Sequence, residues 1–269
     1  MKLMKNSVFL FSIFLVGSIA LIGTIPYAQG AWSVADIESA QIEGSITIDG
    51  VLDEEWNVST PVTITLYNYN NQSFHRNLVI KSAFNDSHLF LGISVDETAP
   101  VDEDTFVGIV FQVGSDPLFD YDGSSEPEPY DGHDAKSVAS DNVTFSDQVT
   151  SYGVFALDVS NGGTSDLQGS SYNRTGGWNF EMCMPLDSGD VNGADPSLES
   201  GDNVKIMPYY ACESLSPWFF WQFRTTDGKW DYAKLWIGEK TIPSYSIPIL
   251  ILCMVGVCFI LIGKYKKPK

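Results

Sequence analysis

Short segments with alternating apolar and polar residues recur through the middle of the chain, and turn-forming residues separate them. In residues 77–84, for example, Leu78, Ile80 and Phe84 share one side, as expected for a strand with one buried face. The pattern predicts strands at residues 61–69, 77–84, 88–95, 105–113, 152–159, 177–186, 203–212, 218–226 and 230–238. Many short strands without an amphipathic helix predict an all-β fold, an antiparallel β-sandwich of the jelly-roll or immunoglobulin-like kind.

The segment ITIDGVLDEEW, residues 46–56, precedes these strands. Ile46 and Ile48 alternate with Thr47, which predicts a short first strand. Asp49-Gly50 then favours a turn, because glycine accepts a positive φ and aspartate can bond its own backbone. The large apolar Trp56 is expected to be buried and to hold this turn in place.

Two polar segments interrupt the strand pattern. Residues 114–135 and 188–202 are rich in Asp, Gly and Ser, and they are predicted to be loops. No internal repeat is apparent, so residues 31–242 are interpreted as a single domain.

Both ends of the chain carry apolar segments of the kind that direct a protein to a membrane. Lys2 and Lys5 precede an apolar run, and small residues near 30 suit cleavage, so residues 1–30 are predicted to be a signal peptide. An uncleaved anchor is the alternative. Residues 243–263 are long enough to cross the bilayer as a transmembrane helix. The lysine-rich residues 264–269 then predict a cytoplasmic C-terminus and an extracellular domain, in a single-pass protein of the cell membrane. A cleaved sorting signal is the other interpretation of this end.

The charge of the middle part is strongly negative. Residues 31–242 hold all 34 acidic residues but only nine of the 15 basic ones. Such a surface repels nucleic acid and anionic lipid, which excludes polyanions as partners. It favours solubility in salt or the attraction of cations.

Cysteines and glycosylation sequons are compatible with an extracellular location. Cys183 and Cys212 are the two cysteines of the middle part, and an oxidising compartment would permit a disulfide between them. The N-x-S/T pattern of glycoprotein acceptor sites occurs at five asparagines: Asn57, Asn71, Asn85, Asn142 and Asn173.

Three segments together resemble the family 9 carbohydrate-binding modules and the wider group of DOMON-like sandwiches. They are ITIDGVLDEEW, the hairpin sequence NLVIKSAFNDSHLFLGISVDE, and GWNFEMCMPL with its Trp-x-x-Glu pattern, in the expected order. The resemblance implies a β-sandwich that binds carbohydrate. The positions that match its motifs, which we expect to be mainly structural, are Asp49, Gly50, Asp53, Trp56, Trp178 and Glu181.

Residues 216–236 are unusually rich in aromatic side chains, which could stack on the faces of sugar rings. In a regular strand Trp218, Gln222 and Arg224 share one face, so an indole would lie beside two groups that bond hydroxyls. With Trp230 they form the predicted carbohydrate site, for an extracellular glycan or glycoprotein. Core packing is the competing explanation, because half of an aromatic strand must face inward.

The sequence is also compatible with two other ligands, calcium and haem b. The acidic loop could bind calcium through Asp120, Asp122 and Asp131, since related modules bind calcium and carboxylates suit this ion. DOMON-like sandwiches can also bind haem b for electron transfer, with axial ligands of the Met and Lys or His type. The residues that could serve in this way are Met182, Met184, Met207, Lys234 and His133.

Signatures of catalysis are missing from the sequence. The histidines His75, His88 and His133 show no zinc-binding spacing, and no nucleophile elbow or phosphate-binding loop occurs. We therefore predict a non-catalytic binding protein that requires no cofactor. The alternatives are the haem domain and a structural or adhesion module without a small ligand.

Overall fold

The structure, a computed structural model, describes residues 35–68, 73–96, 105–114, 119–120, 128–129, 132–141, 144–151, 154–190, 195–212, 219–224, 229–230 and 232–238. For residues 119–120, 128–129, 151, 154, 219–224 and 229–230 it describes the backbone but not the side chains. The expected signal peptide, transmembrane helix and basic tail lie outside these ranges. Within them, no helix has the length and apolar character needed to cross a membrane.

The described part of the chain is all-β, as the sequence predicted, with two short 3-10 helices at Glu54–Val58 and Asp158–Asn161. Its strands are β1 (Asp36–Gln41), β2 (Val62–Asn68), β3 (His75–Phe84), β4 (His88–Val95), β5 (Phe106–Phe111), β6 (Phe119–Asp120), β7 (Glu128–Pro129), β8 (Asp134–Ala139), β9 (Phe145–Ser151), β10 (Val154–Leu157), β11 (Gln168–Arg174), β12 (Gly177–Pro185), β13 (Asn203–Ala211), β14 (Phe219–Arg224), β15 (Lys229–Trp230) and β16 (Ala233–Ile237).

Most of these strands belong to one sheet. Its main path runs β10-β9-β8-β5-β13-β14-β2-β3-β4-β12-β11, with antiparallel neighbours, and β15 pairs with β14. Off this path, β16 pairs with β13, and β1 lies parallel to both β16 and β3. The sheet curves back so that β11 and β12 contact β8. A main core is therefore enclosed between its two halves.

Period-2 alternation divides the buried side chains between the inner and outer sides of this sheet. The inner side carries the main core, which includes Leu66, Leu91, Ile109, Phe180 and Tyr210. Two smaller clusters cover the outer side. The β13 cluster contains Val110, Ala135, Met207 and Tyr209, and the Trp56 cluster contains Ile46, Trp56, Ala83, Phe90 and Cys183.

Some predicted elements differ from the observed ones. Residues 46–48 form no strand, although Ile46 is buried, because the backbone amide of Thr47 donates to the Glu55 carboxylate at 2.8 Å rather than to a neighbouring strand. The first strand is β1 instead. The predicted strand 152–159 is β10 followed by a 3-10 helix, and the segment 230–238 is divided between β15 and β16. Strands β8, β9 and β11 were not predicted, and neither were the two-residue strands β6 and β7, which lie within the predicted loop 114–135.

Candidate functional site

The motif ITIDGVLDEEW is held by a single buried carboxylate on β12, that of Glu181. One carboxylate oxygen accepts from the indole Nε1 of Trp56 at 2.6 Å, and the other accepts from the backbone amides of Asp49 and Gly50 at 2.8 and 2.5 Å. Burial raises the pKa of Glu181, while the hydrogen bonds from Trp56, Gly50 and Asp49 act in the opposite direction. These three donors satisfy a polar group that would otherwise be costly to bury.

The other motif residues shape the same segment. Gly50 has a φ of 86°, and a Cβ there would lie 2.5 Å from the backbone carbon of Ser171, so the close approach requires glycine. The carboxylate of Asp49 accepts from the amide of Val51, and that of Asp53 caps the 3-10 helix by accepting from the amide of Glu55. These residues therefore act in the fold.

Trp178, the remaining motif residue, is half-buried against the main core. Its ring stacks on that of Phe180, with the ring centroids 6.3 Å apart. Trp178 thus also contributes to packing.

Strand β14 contains most of the predicted carbohydrate site. Trp218 lies outside the described residues, and only the backbone is described for Gln222, Arg224 and Trp230. In the strand register, position 222 is opposite Leu66, whose side chain is buried in the main core. Positions 222 and 224 therefore belong to the inner side of the sheet.

The outer side of β14 has a different set of register positions. Position 221 lies between Tyr67 of β2 and Tyr209 of β13, and position 223 is opposite Trp230 of β15. Tyr67 is half-buried, and its ring lies 5.9 Å from that of His75, centroid to centroid. The outer aromatic surface is defined here as Tyr67 together with positions 221, 223 and 230. The predicted site is thus divided between the two sides of the sheet.

The other predicted ligand sites fall partly outside the described residues. Asp122 and Asp131 of the acidic loop lie there, and Asp120 is described only as a backbone position of β6, opposite Glu128. The calcium site in this loop therefore stays a prediction. Two of the glycosylation sequons, at Asn71 and Asn142, also lie outside the described residues.

The remaining sequons differ in their surroundings. Asn57 and Asn173 are exposed. Asn85 is half-buried in the β3–β4 turn, where its side-chain amide donates to the Gly44 carbonyl and its side-chain oxygen accepts from the amides of Ser87 and His88. Its side chain thus serves the turn, and glycosylation at all three stays a prediction.

The side chains proposed as haem ligands lie in different parts of the domain. Met182 and Met184 belong to the main core, whereas Met207 belongs to the β13 cluster on the outer side. His133 is fully buried, and its ring Nδ1 accepts from the amide of Val113 at 3.1 Å. Lys234 is half-buried on β16, opposite Asp36 and Lys205. Haem binding by any pair of them stays a prediction.

Cys183 and Cys212 do not form the disulfide that the sequence analysis allowed. Both are buried thiols outside any disulfide, and they lie in different clusters, Cys183 in the Trp56 cluster and Cys212 in the main core. The body of the sheet separates these clusters, so the two sulfurs are on opposite sides of it. Burial raises the pKa of the Cys183 thiol to about 11.

An ionic cluster that the sequence analysis missed lies on the inner side of β8 and β9. The ammonium of Lys136, whose side chain is only 2 % exposed, contacts four carboxylates. Its Nζ lies 2.6 Å from Asp147 and Asp195, 3.2 Å from Asp134 and 3.5 Å from Asp166. We call these five residues the Lys136 cluster.

The pKa values in this cluster reflect both burial and charge. Burial would lower the pKa of Lys136, but Asp134 and Asp147 raise it well above its ordinary value, so the ammonium stays charged. Burial raises the pKa of Asp134, and it raises that of Asp166 to about 6. One ammonium group thus faces four carboxyl groups.

A second group of carboxylates adjoins the first through Asp195. One oxygen each of Asp158, Asp190 and Asp195 lie within 4.8 Å of one another. Asp158 is 1 % exposed, and neither of its carboxylate oxygens has a hydrogen-bond partner among the described residues. The backbone passes so close that a Cβ at Gly163 would meet an Asp158 oxygen. We call Asp158, Asp190 and Asp195 the Asp158 group.

The sequence contains an alternating pattern that could have indicated the Lys136 cluster. Asp134, Lys136 and Val138 alternate with small residues in DAKSVA, so charged side chains share one face with an apolar one. Asp147 lies opposite Lys136 on the neighbouring strand. Charged residues at alternate positions are typical of a solvated face, and the sequence analysis predicts no strand here: its loop 114–135 includes Asp134, and residues 136–139 belong to no predicted element.

Comparison with known proteins gives similarities of fold. No protein-family model matches the chain, and the comparison with curated proteins finds no match. The solved structures that it resembles include a family 9 carbohydrate-binding module from Caldicellulosiruptor kristjanssonii in complex with cellotriose, at 14% identity and a TM-score of 0.47, covering 77% of this chain and 96% of the module. The glucose complex of a family 9 module from the same organism gives 15% identity, the same TM-score, and coverage of 76% and 98%. A proposed carbohydrate-binding protein from Bacteroides uniformis gives 11% identity, a TM-score of 0.47, and coverage of 75% and 98%.

Proposed function

We propose that this chain is a non-catalytic carbohydrate-binding protein of the cell surface, with its β-sandwich outside the cell and a single C-terminal membrane span. The observation that carries the proposal is the aromatic composition of β14 and β15 together with their register. On the outer side of the sheet, Trp221, Phe223 and Trp230 occupy neighbouring register positions beside Tyr67. A row of aromatic residues on a strand face suits a ligand with flat apolar surfaces.

A neutral glycan fits this chemistry better than a charged ligand does. The C–H faces of a sugar ring stack on indole and phenol rings, and ring hydroxyls bond to polar groups at the edge. The strong negative charge of the domain disfavours anionic polysaccharides, because like charges repel across the approach path. The outer aromatic surface is therefore proposed to bind a neutral sugar chain, lying along the strands.

The anchor in this proposal comes from the sequence. Residues 243–263 would span the bilayer and residues 264–269 would face the cytoplasm, since clustered lysines stay on that side. Only a few residues separate the end of β16 at Ile237 from residue 243 in the sequence. So short a connection would keep the sandwich close to the membrane surface.

Two neighbouring substitutions on β14 test which side of the sheet binds. Trp221→Ala and Gln222→Ala change adjacent residues whose register positions belong to opposite sides. The full chain is purified in detergent and applied to an array of neutral glycans that includes cellotriose and glucose. Melting temperature is measured on the same samples. Tyr172→Ala, which removes an exposed aromatic residue from β11, is the matched control.

The proposal predicts that Trp221→Ala abolishes glycan binding and leaves the melting temperature nearly unchanged, as Trp230→Ala also should. The Tyr172→Ala protein should bind as the wild type does. If Gln222→Ala or Arg224→Ala removes binding in a folded protein while Trp221→Ala does not, the site is on the inner side of β14. If the wild-type protein binds no glycan on the array, the proposed function is wrong.

A further inference from the structure

We infer that the Asp158 group is a binding site for a divalent cation, most suitably calcium, that links the 3-10 helix at Asp158–Asn161 to the segment that contains Asp190 and Asp195. The three carboxylates converge from parts of the chain that no strand pairing connects. None of its three residues belongs to the acidic loop at residues 114–135 or to the outer aromatic surface.

The first observation is the state of the Asp158 carboxylate. A buried carboxylate normally accepts several hydrogen bonds, because burying its oxygens without partners removes them from water and gives nothing in return. Both oxygens of Asp158 lack such partners among the described residues, and so does the second oxygen of Asp195. A cation would satisfy both residues.

The second observation is the balance of charge around the site. Lys136 is a single ammonium that already contacts four carboxylates, one of which belongs to Asp195. The first oxygen of Asp195 lies 2.6 Å from the lysine Nζ, so its second oxygen is left for another partner. Asp158 and Asp190 add two more carboxylates beside it. A divalent ion would offset much of this excess negative charge.

The geometry of the oxygens suits calcium. Calcium–oxygen bonds are about 2.3–2.6 Å long, so two ligand oxygens on opposite sides of the ion lie up to about 5 Å apart. The oxygens of the Asp158 group lie within 4.8 Å of one another. Three carboxylates that bind through one or two oxygens each supply three to six ligands, and water can complete the six to eight that calcium takes.

The packing around Asp158 holds this arrangement in place. The 3-10 helix ends at Gly162, which has a φ of 93°, and the amide of Gly163 donates back to the carbonyl of Asp158. On the other side, an oxygen of Asp190 accepts from the backbone amide of Thr164 at 2.6 Å and from its hydroxyl. The Asp190 carboxylate is thus oriented by Thr164, whereas the bond from Gly163 fixes the backbone of Asp158.

Asp158→Asn is the decisive variant, because it removes one charge while keeping the shape of the side chain. The full chain is purified in detergent, treated with EDTA, and dialysed. Calcium binding is measured by titration calorimetry, and the melting temperature is measured with and without calcium chloride. Asp86→Asn, at an exposed position in the β3–β4 turn, is the matched control. Asp190→Asn is made as a second variant and is used if Asp158→Asn does not fold.

Free calcium at about 100 times the Kd should raise the wild-type melting temperature by roughly 5–10 °C. Asp158→Asn should bind one calcium ion fewer per chain, lose most of this rise, and melt in EDTA no lower than the wild type does. The Asp86→Asn protein should respond as the wild type does. The inference is overturned if calcium does not change the wild-type melting temperature, or if Asp158→Asn binds as many ions as the wild type. A calcium ion in the acidic loop would remain in both proteins and so is distinguished by the stoichiometry.

Discussion

Replacing Trp56 tests how the motif ITIDGVLDEEW is held. The indole is completely buried, packs with Ile46, Ala83 and Phe90, and lies so close to Gly92 that a Cβ there would be 3.1 Å from two ring atoms. Truncating a buried aromatic residue to alanine costs about 3–5 kcal/mol of unfolding free energy. We expect Trp56→Ala to reach this range, and glycan binding per folded molecule to change little.

Trp56→Phe separates packing from hydrogen bonding. Phenylalanine keeps most of the apolar contacts but cannot donate to the Glu181 oxygen that Nε1 reaches at 2.6 Å. A hydrogen bond to a charged group contributes about 1.5–3 kcal/mol, so Trp56→Phe should cost at least that much. Trp178→Phe is the matched control, because Trp178 is half-buried and stacks on Phe180. It should cost less than about 1.5 kcal/mol.

The assay is urea unfolding followed by far-UV circular dichroism, which avoids using the fluorescence of the residue that is changed. A Trp56→Phe protein that is within about 0.5 kcal/mol of Trp178→Phe would refute the role assigned to the Glu181 hydrogen bond. A Trp56→Ala protein that keeps its stability and loses its ligand would instead make Trp56 a binding residue.

Two further predictions concern the thiols and the membrane. Because burial raises the pKa of Cys183 to about 11, the thiol should be almost fully protonated at pH 8 and should react with Ellman's reagent only after urea unfolding. The Cys183→Ser protein is the control. Rapid reaction of the native wild-type protein that is missing in this control would contradict the burial of Cys183. Protease added to intact cells should remove the sandwich and leave a C-terminal tag protected, since residues 264–269 are expected in the cytoplasm. Loss of the tag would show the opposite orientation or the absence of a stable membrane span.

The strands with regular alternation could be predicted from the sequence almost residue by residue. The hairpin of β3 and β4 was expected at residues 77–84 and 88–95, and it is found at His75–Phe84 and His88–Val95 around the Asn85 turn. Strand β12 was expected at 177–186 and is Gly177–Pro185. In these strands the pattern reflects burial directly, because one face packs on the main core.

Prediction failed where charge is buried or where a strand has few apolar residues. Asp134, Lys136 and Asp147 are inward positions of β8 and β9, but a charged residue normally marks the solvated face. The excess of carboxylates around Lys136 comes from residues that are spread along the sequence from Asp134 to Asp195. No local sequence pattern contains contacts of this kind. Which residues of β14 belong to which side of the sheet also depends on the register of this strand with Leu66 of β2 and Tyr209 of β13.

The hydrogen bond between Trp56 and Glu181 joins residues that are 125 positions apart in the sequence, and the one between Asp36 and Trp236 joins residues 200 apart. During synthesis the N-terminal segment therefore leaves the ribosome long before its partners exist. At about 5–20 residues per second, Trp56 would wait roughly 6–25 s for β12, with its indole open to other contacts. Because β1 lies between β3 and β16, the sheet cannot close until nearly the whole domain has been made. We expect this chain to depend on a chaperone that shields residues 35–68 until β12 and β16 have been made.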